Sequence, residues 1–147
     1  MFKKILYPTD FSDVSKIAIE YIRQLKESGV EEILVLHVID ERDVQFSYLY
    51  LFDEYSGDKD LKQTLKDEAT KKMVEIKDQL KNCGFKITSG IEFGVPFKEI
   101  LKAEQKEDIS MIIIGSHGKS NVEEMLLGSV SEKVVRKCKK PVLVVKR

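Results

Sequence analysis

The stretch from Ser110 to Glu132, SMIIIGSHGKSNVEEMLLGSVSE, constrains this chain more than any other. It opens with the uninterrupted apolar run Met111 to Ile114, the pattern of a strand buried on both faces of a parallel sheet. Gly115 ends the run. The polar segment Ser116 to Asn121 follows, with Gly118 inside it, and a short apolar patch leads to Gly128 and Ser129, where a helical pattern begins. Glycines just past a buried strand, then a glycine and a hydroxyl at a helix start, suit an anion. Glycine permits close backbone approach, and free N–H groups at a helix N-terminus carry partial positive charge. The same glycines also fit a simpler role as tight turns. Gly118-Lys119-Ser120 looks like the tail of a Walker A loop, but that motif needs a glycine where the chain has Ile113. The glycine spacing of the dinucleotide fingerprint is absent too.

A chain of 147 residues, 42% hydrophobic and 34% charged, fits one globular domain spanning residues 1–147. Lys+Arg and Asp+Glu are both 25, so no overall charge favours nucleic acid or an anionic membrane as a partner. No apolar run approaches a membrane span, and the run in MFKKILYPTDFS is too short for a signal peptide, so a cytoplasmic location is expected. Cys83 and Cys138 stand far apart without CxxC spacing and read as buried or partly buried thiols. The chain has two His and no Cys cluster beside them, which argues against a transition-metal site.

Lys3 to Tyr7 reads as the first strand, stopped by Pro8. Thr9, Asp10 and Ser12 offer caps for a helix whose apolar face is Val14, Ala18, Tyr21, Ile22 and Leu25, closed by Gly29. Asp10 thus follows the carboxyl end of a strand, where open α/β sheets place their ligands, although a plain capping role also fits. Ile33 to Ile39 is a second strand, with His37 expected as a hydrogen-bonded core residue. Asp40 to Lys59, with Phe46, Tyr48, Tyr50, Phe52 and Tyr55, fits a flap, a short helix or a subunit contact. Leu61, Leu65, Ala69, Met73, Ile76 and Leu80 form a helical stripe ending at Gly84. Phe85 to Phe93 alternates as an edge strand, and Pro96 begins a helix bearing Phe97, Ile100, Leu101 and Ala103. Ser120 with Glu123 predicts a capping box for a short helix over Val122 to Leu127, and Ser129 with Glu132 another for the last main helix. The basic residues Arg136, Lys137, Lys139 and Lys140 suit that helix's C-terminus. Val142 to Val145 is the final strand. Five strand–helix alternations with crossover-length connections predict an α/β, three-layer, doubly wound sheet.

Gly115-x2-Gly118-x9-Gly128-Ser129 resembles the glycine pattern of ATP-binding members of the universal stress protein family. ILYPTDFS, LHVID at Leu36 to Asp40, GSHGKS and the closing PVLVVKR also resemble that family, in order and at its spacing. The resemblance covers nearly the whole chain. It implies a five-stranded parallel open sheet of order 3-2-1-4-5, Rossmann-like, whose first and fourth strands bring Asp10 and Gly115 to Ser120 to one crevice. It further implies ATP as ligand. The adenine would lie between the Pro8-Thr9-Asp10 turn, Val38 and the strand ending at Ile114 and Gly115, with Asp10 at the adenine and ribose edge. The phosphates would rest on N–H groups of Gly118, Lys119, Ser129 and Val130, with Gly128 and the Ser129 hydroxyl beside them. Ser116 and His117 belong to the same loop, His117 as a phosphate neighbour or acid. Mg²⁺ or Mn²⁺ held mainly by the phosphates needs few protein ligands.

The function expected from this is a nucleotide-dependent switch in stress response with at most slow hydrolysis, in which ATP orders the Gly118 to Leu127 loop. No catalytic residue is assigned, Asp10, His117, Glu123 and Glu124 being weak candidates. The alternatives are a true ATPase or nucleotide-activating transferase, and a stress interaction protein without nucleotide. A phospho-receiver is rejected, because Asp10 stands alone after strand one and Glu92-Phe93-Gly94 replaces the aspartate needed after strand three. An exposed final strand predicts a homodimer by antiparallel pairing of Val142 to Val145.

Overall fold

The computed structural model describes residues 2–50, 58–117 and 127–146. In chain order the elements are β1 (Lys4–Pro8), α1 (Asp13–Gln24), a 3-10 turn (Leu25–Ser28), β2 (Glu32–Asp40), α2 (Glu41–Tyr50), α3 (Asp58–Lys81), β3 (Lys86–Gly94), α4 (Pro96–Lys106), β4 (Met111–Gly115), α5 (Ser129–Lys137) and β5 (Val142–Val145). The sheet runs β3-β2-β1-β4-β5 with every pairing parallel. This is the order that the family resemblance implied. β1 and β4 meet at the centre, where the strand order reverses.

Period-two alternation along the central strands sends successive side chains to opposite layers. Ile5, Tyr7, Ile33 and Val35 join Ile22 of α1 and Met73 of α3 in one buried cluster. Leu6, Leu34, Ile112 and Ile114 join Ile100 of α4 and Val134 of α5 in the other. Pro8 ends β1 without an N–H to give, and Thr9 N–H takes over by donating to Leu36 O at 2.9 Å. The α1 segment closes through Gly29 at φ 89°, a left-handed position where a side chain would be strained.

Some sequence expectations change. Tyr21 is 45% exposed and Ile19 is buried instead; the buried stripe of α1 is centred toward Ser15 and Ile19, which leaves Tyr21 at its border. Segment 40–59 contains a helix, α2, with Phe46 exposed; the side chains of Tyr48, Tyr50, Phe52 and Tyr55 lie outside the described residues. So do Ser120, Asn121 and the predicted short helix up to Met125 and Leu126. The Ser129–Glu132 capping box does not form. Gly128 is the N-cap and Ser129 the first helical residue, while Glu132 pairs with Arg136 one turn on. Lys139 and Lys140 lie past the end of α5, and Glu104 of α4, 3% exposed, accepts their backbone N–H groups at 2.6 and 2.9 Å. Cys83 and Cys138 are both free and partly buried.

Candidate functional site

The carboxyl ends of β1, β2 and β4 open into one pocket of about 470 Å³, a size usual for small-molecule sites. Its walls come from chain segments far apart in sequence. The turn after β1 contributes Pro8, Thr9 and Asp10, β2 contributes Val38, β4 contributes Ile114 and Gly115, and the start of α5 contributes Gly128, Ser129 and Val130. His117 also lines it. Of the other predicted site residues, Ser116 is buried behind the wall, and Gly118 and Lys119 lie outside the described residues, as do the candidate acids Glu123 and Glu124.

The β1–α1 turn is built by short polar side chains. Thr9 Oγ1 accepts the N–H of Phe11 at 3.0 Å and Asp10 Oδ1 accepts that of Ser12 at 3.0 Å. Ser12 then caps α1, its hydroxyl accepting Ser15 N–H at 3.3 Å. Behind them, Ser15 Oγ donates to Thr9 Oγ1 at 2.7 Å and Tyr7 Oη donates to Ser15 O at 2.7 Å. Burial pushes the Tyr7 phenol above its ordinary value. His37 is buried and lies 2.8 Å through Nδ1 from Thr9 O. A carbonyl only accepts, so Nδ1 carries the proton. The expected core histidine is therefore also a support for the pocket turn.

Across the crevice, Ser116 O receives the N–H of Gly128 at 2.6 Å and the Ser131 hydroxyl at 2.7 Å. These bonds fasten the N-terminus of α5 to the end of β4. The first intrahelical bond of α5 runs from Glu132 N to Gly128 O. The N–H groups of Ser129 and Val130 thus precede the ladder, at the positive end of the helix, in the wall of the pocket. Gly128 N–H is used inside the fold. Gly115 has a packing role as well, since an added Cβ would meet Ser15 N at 3.2 Å and Val14 Cγ1 at 3.2 Å.

Chain-order reading missed several wall residues. Phe11, Asp40, Arg42, Lys72, Pro96 and Ile100 all line the pocket. Asp40 ends β2, so the strand-end rule that singled out Asp10 applies to it equally. Arg42 Nε bonds Asp40 Oδ1 at 3.0 Å, and this guanidinium holds the Asp40 carboxyl below its usual range. Lys72 faces the pocket from the solvent side of α3, and nothing in the sequence separates it from the other lysines there. Among the described residues, no group of His, Cys, Asp and Glu side chains is arranged to hold a metal ion, and no helix is long and apolar enough to cross a membrane.

The profile of the Universal stress protein family matches residues 1–146. The chain belongs to the universal stress protein family. It is 46% identical to universal stress protein MJ0577 of Methanocaldococcus jannaschii, covering 100% of this chain and 96% of that one. It is 32% identical to universal stress protein YxiE of Bacillus subtilis, over 99% of this chain and 100% of that one. The solved structure of MJ0577 superposes with a TM-score of 0.88 over 100% of this chain and 97% of that one. The fold assignment is thereby shared with a relative of known structure. A universal stress protein from Archaeoglobus fulgidus solved in complex with dAMP shares the fold, at 18% identity, a TM-score of 0.65 and coverage of 99% and 98%.

Proposed function

We propose that this universal stress protein binds ATP in the switch-point pocket and works as a nucleotide-dependent regulator rather than an efficient enzyme. The observation that carries the reading is the convergence of an apolar slot and a helix N-terminus in one pocket. Pro8, Val38, Ile114, Pro96 and Ile100 offer a surface for a flat base, and Ser129 and Val130 offer N–H groups for phosphate. Asp10 lines the same pocket and is suited to accept hydrogen bonds from base or ribose. A related fold that holds dAMP supports the nucleotide class. Gly118 and Lys119 would add to the phosphate end, and Mg²⁺ or Mn²⁺ would be held by phosphate oxygens with few protein ligands.

Regulation follows from the chemistry that the pocket offers. Binding groups are present, whereas an oriented base with a charge-stabilising partner is not assembled among the described residues. In this reading, ATP alters the loop after His117, and β5, at the edge of the sheet, pairs antiparallel with a second copy of the chain.

The test is to denature purified protein and identify released nucleotide by chromatography, then titrate ATP with Mg²⁺ or Mn²⁺ while following Tm. Released adenine nucleotide near one per chain, or a rise in Tm with ligand, is the expected result. No nucleotide and no shift in Tm overturns it. Steady multiple turnover abolished by Ser129→Ala would favour the ATPase reading. Scattering that gives a monomer would remove the β5 dimer.

A further inference from the structure

We propose that Phe11 and His37 form a positioning pair that holds Asp10 for the nucleoside end of the ligand; this rests on the nucleotide reading above. Phe11 sits at φ 64°, the only non-glycine residue with positive φ among those described. A bulky side chain in the left-handed region is sterically costly and persists where its surroundings over-determine it, most often at functional sites.

Those surroundings converge on a single imidazole. The Phe11 ring lies on the His37 ring, with centroids 4.3 Å apart and planes at 34°. The same His37 donates from Nδ1 to Thr9 O at 2.8 Å. His37 therefore grips the turn on both sides of Asp10, by the carbonyl before it and the ring after it. Lys72 Nζ lies over the Phe11 ring, 5.7 Å from its centre. The left-handed residue lets Ser12 N–H reach back to Asp10 Oδ1 at 3.0 Å, which orients the carboxylate. Phe11, His37 and Asp10 all line the pocket, as does Val38, next to His37 on β2.

The assembly has the character of a support for a hydrogen-bond acceptor. A carboxylate fixed in the pocket wall recognises amino or hydroxyl donors, which a nucleoside has and a bare polyphosphate lacks. Loosening the pair therefore weakens recognition of the nucleoside and spares the phosphate end at α5.

The experiment is calorimetric titration of wild type, Phe11→Ala, Phe11→Leu, Phe11→Tyr and His37→Ala with Mg-ATP and, separately, with inorganic tripolyphosphate. Melting curves establish that each variant is folded. Phe11→Ala and His37→Ala are expected to lose about tenfold in ATP affinity, the scale of one oriented hydrogen bond, with tripolyphosphate affinity within about twofold of wild type. Phe11→Tyr keeps the stack and is expected to retain ATP affinity. If Phe11→Ala does not fold, Phe11→Leu preserves apolar volume without the aromatic stack and carries the same expectation. Equal losses for both ligands, or an unchanged ATP affinity, overturn the positioning role. Wild type that binds tripolyphosphate as tightly as ATP overturns the pair while leaving the phosphate cradle. Wild type that binds neither overturns the nucleotide reading and the pair together.

Discussion

Glu104 Oε1 accepts the backbone N–H of both Lys139 and Lys140, at 2.6 and 2.9 Å, and so ties the end of α4 to the link between α5 and β5. The side chain is 3% exposed, and a buried carboxylate is tolerated only where hydrogen bonds replace its water. Glu104→Ala leaves both amides without that partner and is expected to cost about 2–3 kcal/mol in urea unfolding. Glu104→Gln keeps an acceptor oxygen and should cost less.

Gly115 is a close-approach glycine. Its Cβ position lies 3.2 Å from Ser15 N, a backbone atom that cannot swing away. Gly115→Ala should therefore lower stability by about 1–3 kcal/mol through overpacking. It should also weaken ATP binding, because the displaced N-terminus of α1 carries the turn that includes Asp10. Thermal melting and titration of one variant check both effects.

Ser129 and Ser131 separate binding from folding. Ser129 is exposed and its side chain makes no capping bond, so Ser129→Ala should change stability by less than about 0.5 kcal/mol while reducing ATP affinity. Ser131 is buried with its hydroxyl on Ser116 O at 2.7 Å. Ser131→Ala should cost about 1–2 kcal/mol of stability. If Ser129→Ala destabilises as much as Ser131→Ala, the assignment of roles is wrong.

Tyr7 makes an alkaline prediction. Burial raises its folded pKa above the ordinary 10.0. The unfolded chain then releases its phenolic proton first, so the Tyr7 contribution is fully present below pH 10 and is lost as pH rises toward the folded value. The slope attributable to it approaches about 1.4 kcal/mol per pH unit in that window. Tyr7→Phe should lack this component, which unfolding curves of the two proteins at a series of alkaline pH values would show as converging stabilities.

Much of the architecture could be read in order along the chain. The run Met111 to Ile114 is a local pattern that marks a strand buried on both faces, and the period of the stripe from Leu61 to Leu80 states which face of its helix is buried. The errors came where two local solutions competed. Ser129 and Glu132 have capping-box spacing, yet Gly128 caps the helix because its N–H and the Ser131 hydroxyl both reach Ser116 O, a partner supplied by β4. Tyr21 fits the apolar stripe of α1 by spacing, and only the direction from which the sheet approaches decides that Ile19 is covered in its place.

The sequence by itself determined the strand–helix alternation, the glycines at the ends of β4 and before α5, and Asp10 after β1. Each depends on neighbours within a turn or two of chain. Tertiary structure alone decided that Asp40, Lys72, Pro96 and Ile100 share a pocket with Asp10, and that His37 supports both Thr9 and Phe11. Those relations depend on strand order and register, which bring β2, α3 and α4 together at the carboxyl edge of β1. Spacing along one chain carries no record of which strands become neighbours, and it is that adjacency which turns scattered residues into a site.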